Sequence, residues 1–461
     1  MNKMKKLLFF TVALSLLSVG TVSAQKNAVK SAKRALDSKD LNEARTLMKG
    51  AITNPESMND PDTWKIYGDI GNKVFDDERI KQTLGQKADD NAMYNGLLES
   101  YYPYVKADSL GQLPDSKGKV KNKVRKDVAS ILKANHPYYI NGGVYYNEQK
   151  NYNKATDFFE IYWNIPSLPM YEGEANAFVI DSTFQIIKYY AIITSIQAEN
   201  YLKAENLLNR AINEPFIENT AFVESDLYEL LASTYIQQGD SAKYLEVLYK
   251  GADKFPKSKY FIPNLVNVFI RRGENTKALD YLDVAIKNDP SNSCDLNSVK
   301  GALLAEKGDF DAAEIEYNKA LTQDPNCERA LEAIAVNYIL QAQELKELTS
   351  KLSDRQKQME NDKKTVDFYQ KSLAPLEKYT ALLKARNAEK GEINPTYMKL
   401  RNVYYNLSNM GVDKSKELEV IEKELSSKST ISNASVFNLS IILSLKASLT
   451  FSNESSVMKI N

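Results

Sequence analysis

NSVKGALLAEKGDFDAAEIEYNKALTQDP, from Asn297 to Pro325, decides the fold. Asn297 to Glu306 reads as one helix, and Gly308-Asp309 as a turn. A second helix runs through Ala313, Tyr317 and Ala320 and closes at Pro325. Small residues at Gly301, Ala313 and Ala320 let two antiparallel helices approach closely, while Leu304 and Tyr317 fill the space between them and the next pair. Proline cannot continue a helix, because it lacks the N–H and clashes with the preceding turn, so Pro325 ends the unit.

The pattern recurs upstream as Ile262, Leu265, Phe269, Gly273, Ala278, Leu282, Ala285 and Pro290, and again as Tyr228, Leu231, Ala232, Tyr235, Gly239, Leu248, Gly251 and Pro256. The second-helix marker falls at Tyr244, Ala278 and Ala313, steps of 34 and 35 residues. In its small-residue, aromatic and proline positions the set resembles the tetratricopeptide repeat, whose period is about 34 residues.

Looser copies extend both ways: Tyr139, Gly142, Gly143, Tyr146, Ala155, Phe159, Tyr162 and Pro166; Ala204, Leu208, Ala211 and Pro215; and, near the start, Ala32, Ala35, Ala44, Met48, Ala51 and Pro55. A degenerate copy from Tyr404 to Leu425 caps the array. The expected fold is all-α, with about nine helix-turn-helix pairs over residues 26–426. The resemblance implies that they wind into a right-handed α-solenoid.

In two units the second helix comes late. Trp64, Tyr67 and Gly68 are answered only at Ser100, Tyr104 and Ala107, and Ala335 and Tyr338 only at Ser372, Leu376 and Tyr379. Inserts of about 20 and 25 residues would lengthen both helices of each pair. The second, Gln343–Lys364, reads either as a solvated extension or as a protruding contact surface. The expected organisation is a signal peptide at 1–24, repeats at 25–114, a basic linker or helix at 115–135, central repeats at 136–327, C-terminal repeats and cap at 328–426, and a Ser-rich tail at 427–461. The basic stretch, Lys117 to Lys126, carries Asp115 and Asp127 beside it and reads as a solvated face, with a polyanion contact as the alternative. In the tail, Val436–Leu445 is apolar and too short to span a bilayer; a packed element, a partner-binding peptide and a poorly ordered end are all open.

Lys3, Lys5 and Lys6 precede the apolar run Leu7–Gly20, and Val22-Ser23-Ala24 offers small residues before Gln25. That order is a secretory signal peptide. A transmembrane anchor is the alternative, but the run is shorter than the roughly 20 apolar residues a span needs. The expected location is the periplasm or the medium after cleavage near Ala24. The chain has 60 basic and 60 acidic residues, and removal of residues 1–24 leaves a charge of −3. No field of that size favours nucleic acid or an anionic membrane.

Catalytic and metal chemistry has little to build on. The one histidine, His136, precedes Pro137, and the pair reads as a surface residue at a helix start. No multi-histidine metal site can form, and no nucleophile elbow, zinc-protease, dinucleotide or phosphate-loop motif is present. No enzyme activity, metal or cofactor is expected; a carboxylate enzyme is the outlying alternative. Cys294 and Cys327 occupy similar places in successive repeats, and packed helices lie about 8–10 Å apart. A disulfide needs Cα atoms within about 7 Å, so unpaired thiols are expected, although export permits oxidation.

Tetratricopeptide proteins commonly bind peptides or partner domains in a groove lined by first helices. The resemblance places Asp226, Glu229, Ser233 and Gln237, then Tyr260, Asn267 and Arg271, then Ser298, Ala302 and Glu306 along such a groove. The Lys/Asn clamp of the chaperone-binding members is absent; Asn267 and Arg271 stand among acids and small residues. The reading is therefore a non-catalytic scaffold of the bacterial envelope that binds protein or peptide partners. The alternative is a glycan-binding accessory protein that stacks sugars on Trp64, Trp163 and the many tyrosines.

Overall fold

The computed structural model describes residues 27–174 and 177–426. Eighteen α-helices follow one another, and no strand occurs among the described residues. They are α1 (27–37), α2 (Leu41–Ala51), α3 (Pro61–Thr83), α4 (Asp90–Gly111), α5 (Arg125–Glu148), α6 (Tyr152–Asn164), α7 (Ser182–Gln197), α8 (Tyr201–Asn213) and α9 (Glu224–Gln238). Then come α10 (Ser241–Lys254), α11 (Phe261–Arg272), α12 (Asn275–Asn288), α13 (Ser293–Glu306), α14 (Phe310–Gln323), α15 (Glu328–Ser350), α16 (Arg355–Ala385), α17 (Lys390–Asn409) and α18 (Ser415–Ser426). The expected signal peptide and Ser-rich tail lie outside the described residues.

The chain forms two compact units, which meet in sequence between Gly239 and Asp240. From α2 to α9 in the first, and from α10 to α18 in the second, each helix packs on the next in chain order. In the second unit α13 also packs on α15, so successive first helices share a layer. Such serial packing is how hairpins that cannot bury an apolar face alone share one core.

One turn recurs between first and second helices. A residue in the left-handed region is followed by a capping residue: Lys39-Asp40 (φ 65°), Lys150-Asn151 (φ 57°), Glu199-Asn200 (φ 56°) and Gly308-Asp309 (φ 81°). The capping carboxylate or amide accepts the backbone N–H three residues on, as Asp40 does from Glu43 at 3.0 Å. The capping residue's own N–H reaches back to a carbonyl five residues earlier, as from Asp309 to Leu304 at 3.0 Å. Together these satisfy carbonyls and amides that helix ends leave open.

Glycine on one helix receives a ring from its neighbour. Tyr317 of α14 lies on Gly301 of α13, as the hairpin pattern requires. Phe158 and Phe159 of α6 lie on Gly142 and Gly143 of α5, and Phe261 of α11 on Gly251 of α10. In the first long pair, a Cβ on Gly71 of α3 would stand 2.7 Å from the Gly96 carbonyl of α4. These tetratricopeptide-like close approaches set the helix spacing, and Tyr104, Tyr139 and Tyr317 fill the core as fully buried side chains. Both pairs expected to be long are long: α3 and α4 have 23 and 22 residues, α15 and α16 have 23 and 31.

Two expectations are overturned. His136 is not a surface residue at a helix start: α5 begins at Arg125 and runs through Pro137. His136 is 6% exposed, stacks on Tyr162 at 4.0 Å and bonds the Tyr162 carbonyl at 3.0 Å through Nε2. Tertiary packing along α5 outweighs the hydrogen bond that proline removes. Cys294 and Cys327 are not free thiols: they form a disulfide, with Cα atoms 5.7 Å apart. The distance between helix axes does not govern them, because Cys327 caps the start of α15 and is not inside it, and α13 packs directly on α15.

Candidate protein-binding surfaces

The groove positions fall into two sets, one in each unit. In the first, Asp226, Glu229, Ser233 and Gln237 lie along α9. Asp226 is half-buried, and its Oδ2 accepts the Val223 N–H at 3.0 Å, closing the start of the helix. Glu229 is half-buried, whereas Ser233 and Gln237 are exposed.

In the second unit, Tyr260 caps α11 with its ring edge-on to Phe261 at 5.3 Å, and its carbonyl accepts the Asn264 amide at 2.7 Å. Asn267 is buried, and Arg271 is exposed at the end of α11. On α13, Glu306 is exposed, but Ser298 and Ala302 are buried. Ser298 donates to the Cys294 carbonyl and sits 3.8 Å from the Cys327 sulfur. The exposed positions able to meet a partner are thus Ser233, Gln237, Arg271 and Glu306.

The two tryptophans differ. Trp163 is buried, donates to Glu214 at 3.0 Å and carries the Arg210 guanidinium 4.0 Å above its ring. Lys188 reaches Glu214 at 2.7 Å and Arg210 reaches it at 2.9 Å. Burial pushes the Glu214 carboxyl up, but the hydrogen bonds from Lys188 and Arg210 outweigh it and hold the group below the usual carboxylate range. This satisfied cluster holds α6, α7 and α8 together and leaves no ring face for a sugar. Trp64 is half-buried, with its indole N–H on the Met58 carbonyl at 2.6 Å and the exposed Tyr102 edge-on at 5.9 Å.

The basic stretch is closed off at its base. Asp108 accepts both Nε and Nη2 of Arg125, at 2.7 and 2.9 Å, and the Asn122 amide at 2.7 Å. Asp115 accepts the backbone N–H groups of Lys117 and Lys119 at 2.9 and 3.0 Å. The lysine side chains between them are exposed. At the far end of the long pair in the second unit, Leu348 and Met359 are exposed, and Lys346 reaches Asn406 at 2.9 Å.

Among the described residues no group of three or more His, Cys, Asp or Glu stands close enough to hold a metal ion. No helix among them is long and apolar enough to cross a membrane.

No known family profile matches the chain, and no curated protein matches it. Solved structures similar to it are tetratricopeptide-repeat proteins. YrrB, described as a TPR protein with an unusual peptide-binding site, is 16% identical over 46% of this chain and 97% of its own, with a TM-score of 0.30. The C-terminal part of a TPR repeat-containing protein from Cytophaga hutchinsonii is 13% identical over 60% and 97%, with a TM-score of 0.31. A TPR repeats protein from Bacteroides fragilis is 14% identical over 57% and 95%, with a TM-score of 0.28. At such scores these likenesses add nothing to the packing described above.

Proposed function

We propose that the protein is a non-catalytic scaffold of the bacterial envelope that binds protein or peptide partners on its stacked hairpins. The observation that carries this reading is the serial packing itself. Each hairpin spends its small and aromatic residues on its neighbours, which places many tyrosines in the core, and the groove positions left exposed, Ser233, Gln237, Arg271 and Glu306, are polar. Exposed Gln237, Arg271 and Glu306 are the contact residues of choice.

The Cys294–Cys327 disulfide supports an exported protein, because such bonds persist in oxidising compartments. The Lys-rich start, apolar run and small residues before Gln25 support the same location. Cell fractionation with mass spectrometry of the mature N-terminus tests it: a chain beginning at Gln25 outside the cytoplasm is expected, and a full-length cytoplasmic chain contradicts it. Glycan binding keeps one specific support, the Trp64–Tyr102 pair, whereas Trp163 is sealed in the core. Glycan-array binding that is lost on Trp64→Ala would favour that second reading.

A further inference from the structure

The strap of chain between α4 and α5 displays a lysine at every second residue. Lys119, Lys121 and Lys123 are exposed, with exposed Lys117 before them and Lys126 after. Residues 119–122 run without helix, turn or bend. An extended run puts alternate side chains on one face, about 6.6 Å apart. The strap is tied down at both ends: Asp115 holds the Lys117 and Lys119 N–H groups, Asn122 bonds Asp108, and Val124 is buried.

These lysines lack the counter-charge that others on this chain carry. Lys351 meets Glu347, and Lys371 meets Asp367, one helical turn away. Among the described residues no carboxylate stands within ion-pair distance of Lys117, Lys119, Lys121, Lys123 or Lys126, because the three beside them are committed elsewhere. Asp108 holds the Arg125 fork, Asp127 lies 3.6 Å from Lys65, and Asp115 is spent on backbone N–H groups.

The backbone is open as well. Among the described residues nothing accepts the N–H of Val120, Lys121, Asn122 or Lys123. An extended run with unpaired backbone groups is a template for another strand. Like charges directly opposite one another repel, so the lysines turn away a second copy of the same strap and admit an acidic strand. A phosphate-bearing surface would answer the charges but not the backbone donors in register. An extended peptide with acids at alternate positions answers both.

We infer that residues 119–123 are a second contact site, which pairs edge to edge with an extended acidic segment of a partner protein and sets its alternate carboxylates against Lys119, Lys121 and Lys123. The inference rests on the protein-binding reading but places a contact outside the groove positions. The test titrates the full chain with a decapeptide that alternates Glu and Thr, with an isomer that holds its Glu in one block, with inorganic polyphosphate, and with vesicles of anionic phospholipid. Hydrogen exchange read by mass spectrometry follows the strap amides. The alternating peptide should bind about tenfold more tightly than its isomer, as two or three cross-strand ion pairs amount to, and should protect the amides of residues 119–123. The paired change Lys119→Glu and Lys121→Glu should remove that advantage, and Lys351→Glu, the same charge change on α15, should keep it. Equal affinity for the two isomers, binding without amide protection, binding only to polyphosphate or vesicles, or no binding at all overturns the inference. The scaffold reading survives each of these results, because it is judged by contacts at groove residues that no variant here alters.

Discussion

His136 shows at one residue how burial sets chemistry. Burial pushes its pKa down to about 4 from an ordinary 6.5, against the Tyr162 hydrogen bond, which raises it. The folded chain therefore holds His136 neutral, while the unfolded chain takes up a proton as pH falls through about 6.5. Stability is lost as pH drops from there towards 4, by about 3 kcal/mol for this group, and levels off below. Urea unfolding across that range should show the slope in the native protein and a shallower one in His136→Gln. The left-handed turn residues make a second test. Lys39, Lys150 and Glu199 hold a backbone conformation that costs a side chain about 1 kcal/mol or more. Each change to glycine should raise the thermal midpoint. Gly142→Ala should do the reverse. Alanine gains about 1 kcal/mol over glycine in an open helix, but here its Cβ would enter the Phe158 ring, and overpacking of that kind costs about 1–3 kcal/mol.

At the scale of elements, two ties outside the hairpin pattern hold the helices in place. The Cys294–Cys327 bond closes 33 residues of chain around α13 and α14, worth about 3–4 kcal/mol by loop entropy. A thiol assay of the unfolded, unreduced protein should find no free sulfhydryl, and reduction or the double change to serine should lower the unfolding midpoint of the second unit. The Arg125 fork on buried Asp108 fixes the start of α5 after the basic stretch. Arg125→Ala should cost about 2–3 kcal/mol, as hydrogen bonds to charged groups do, and should speed proteolysis within residues 112–124. The hairpins themselves were legible in the sequence because Gly301 and Tyr317, or Gly143 and Phe159, mark a close approach wherever they fall in phase. The disulfide and the burial of His136 were not. Both depend on where a helix starts, and the sequence signals for that pointed wrongly: Pro137 suggested a boundary inside α5, and equivalent repeat positions suggested a spacing that Cys327, at a helix cap, does not keep. Lysine and glutamate in left-handed turns were equally hidden, since neither residue type advertises that conformation.

For the whole molecule, serial packing within each of the two units buries most of α11 and α13 and leaves polar residues exposed near their ends. Candidate contacts were only partly legible. Gln237, Arg271 and Glu306 are exposed, but Asn267, Ser298 and Ala302 turn inward, because a first helix must also pack on its neighbours. The most direct test of the scaffold claim is photo-crosslinking in living cells from a reactive residue placed in turn at Gln237, Arg271 and Glu306, with a control at Val420. The account predicts that one envelope protein is captured repeatedly from the first three positions and not from the control. Capture no greater than at Val420 would contradict it.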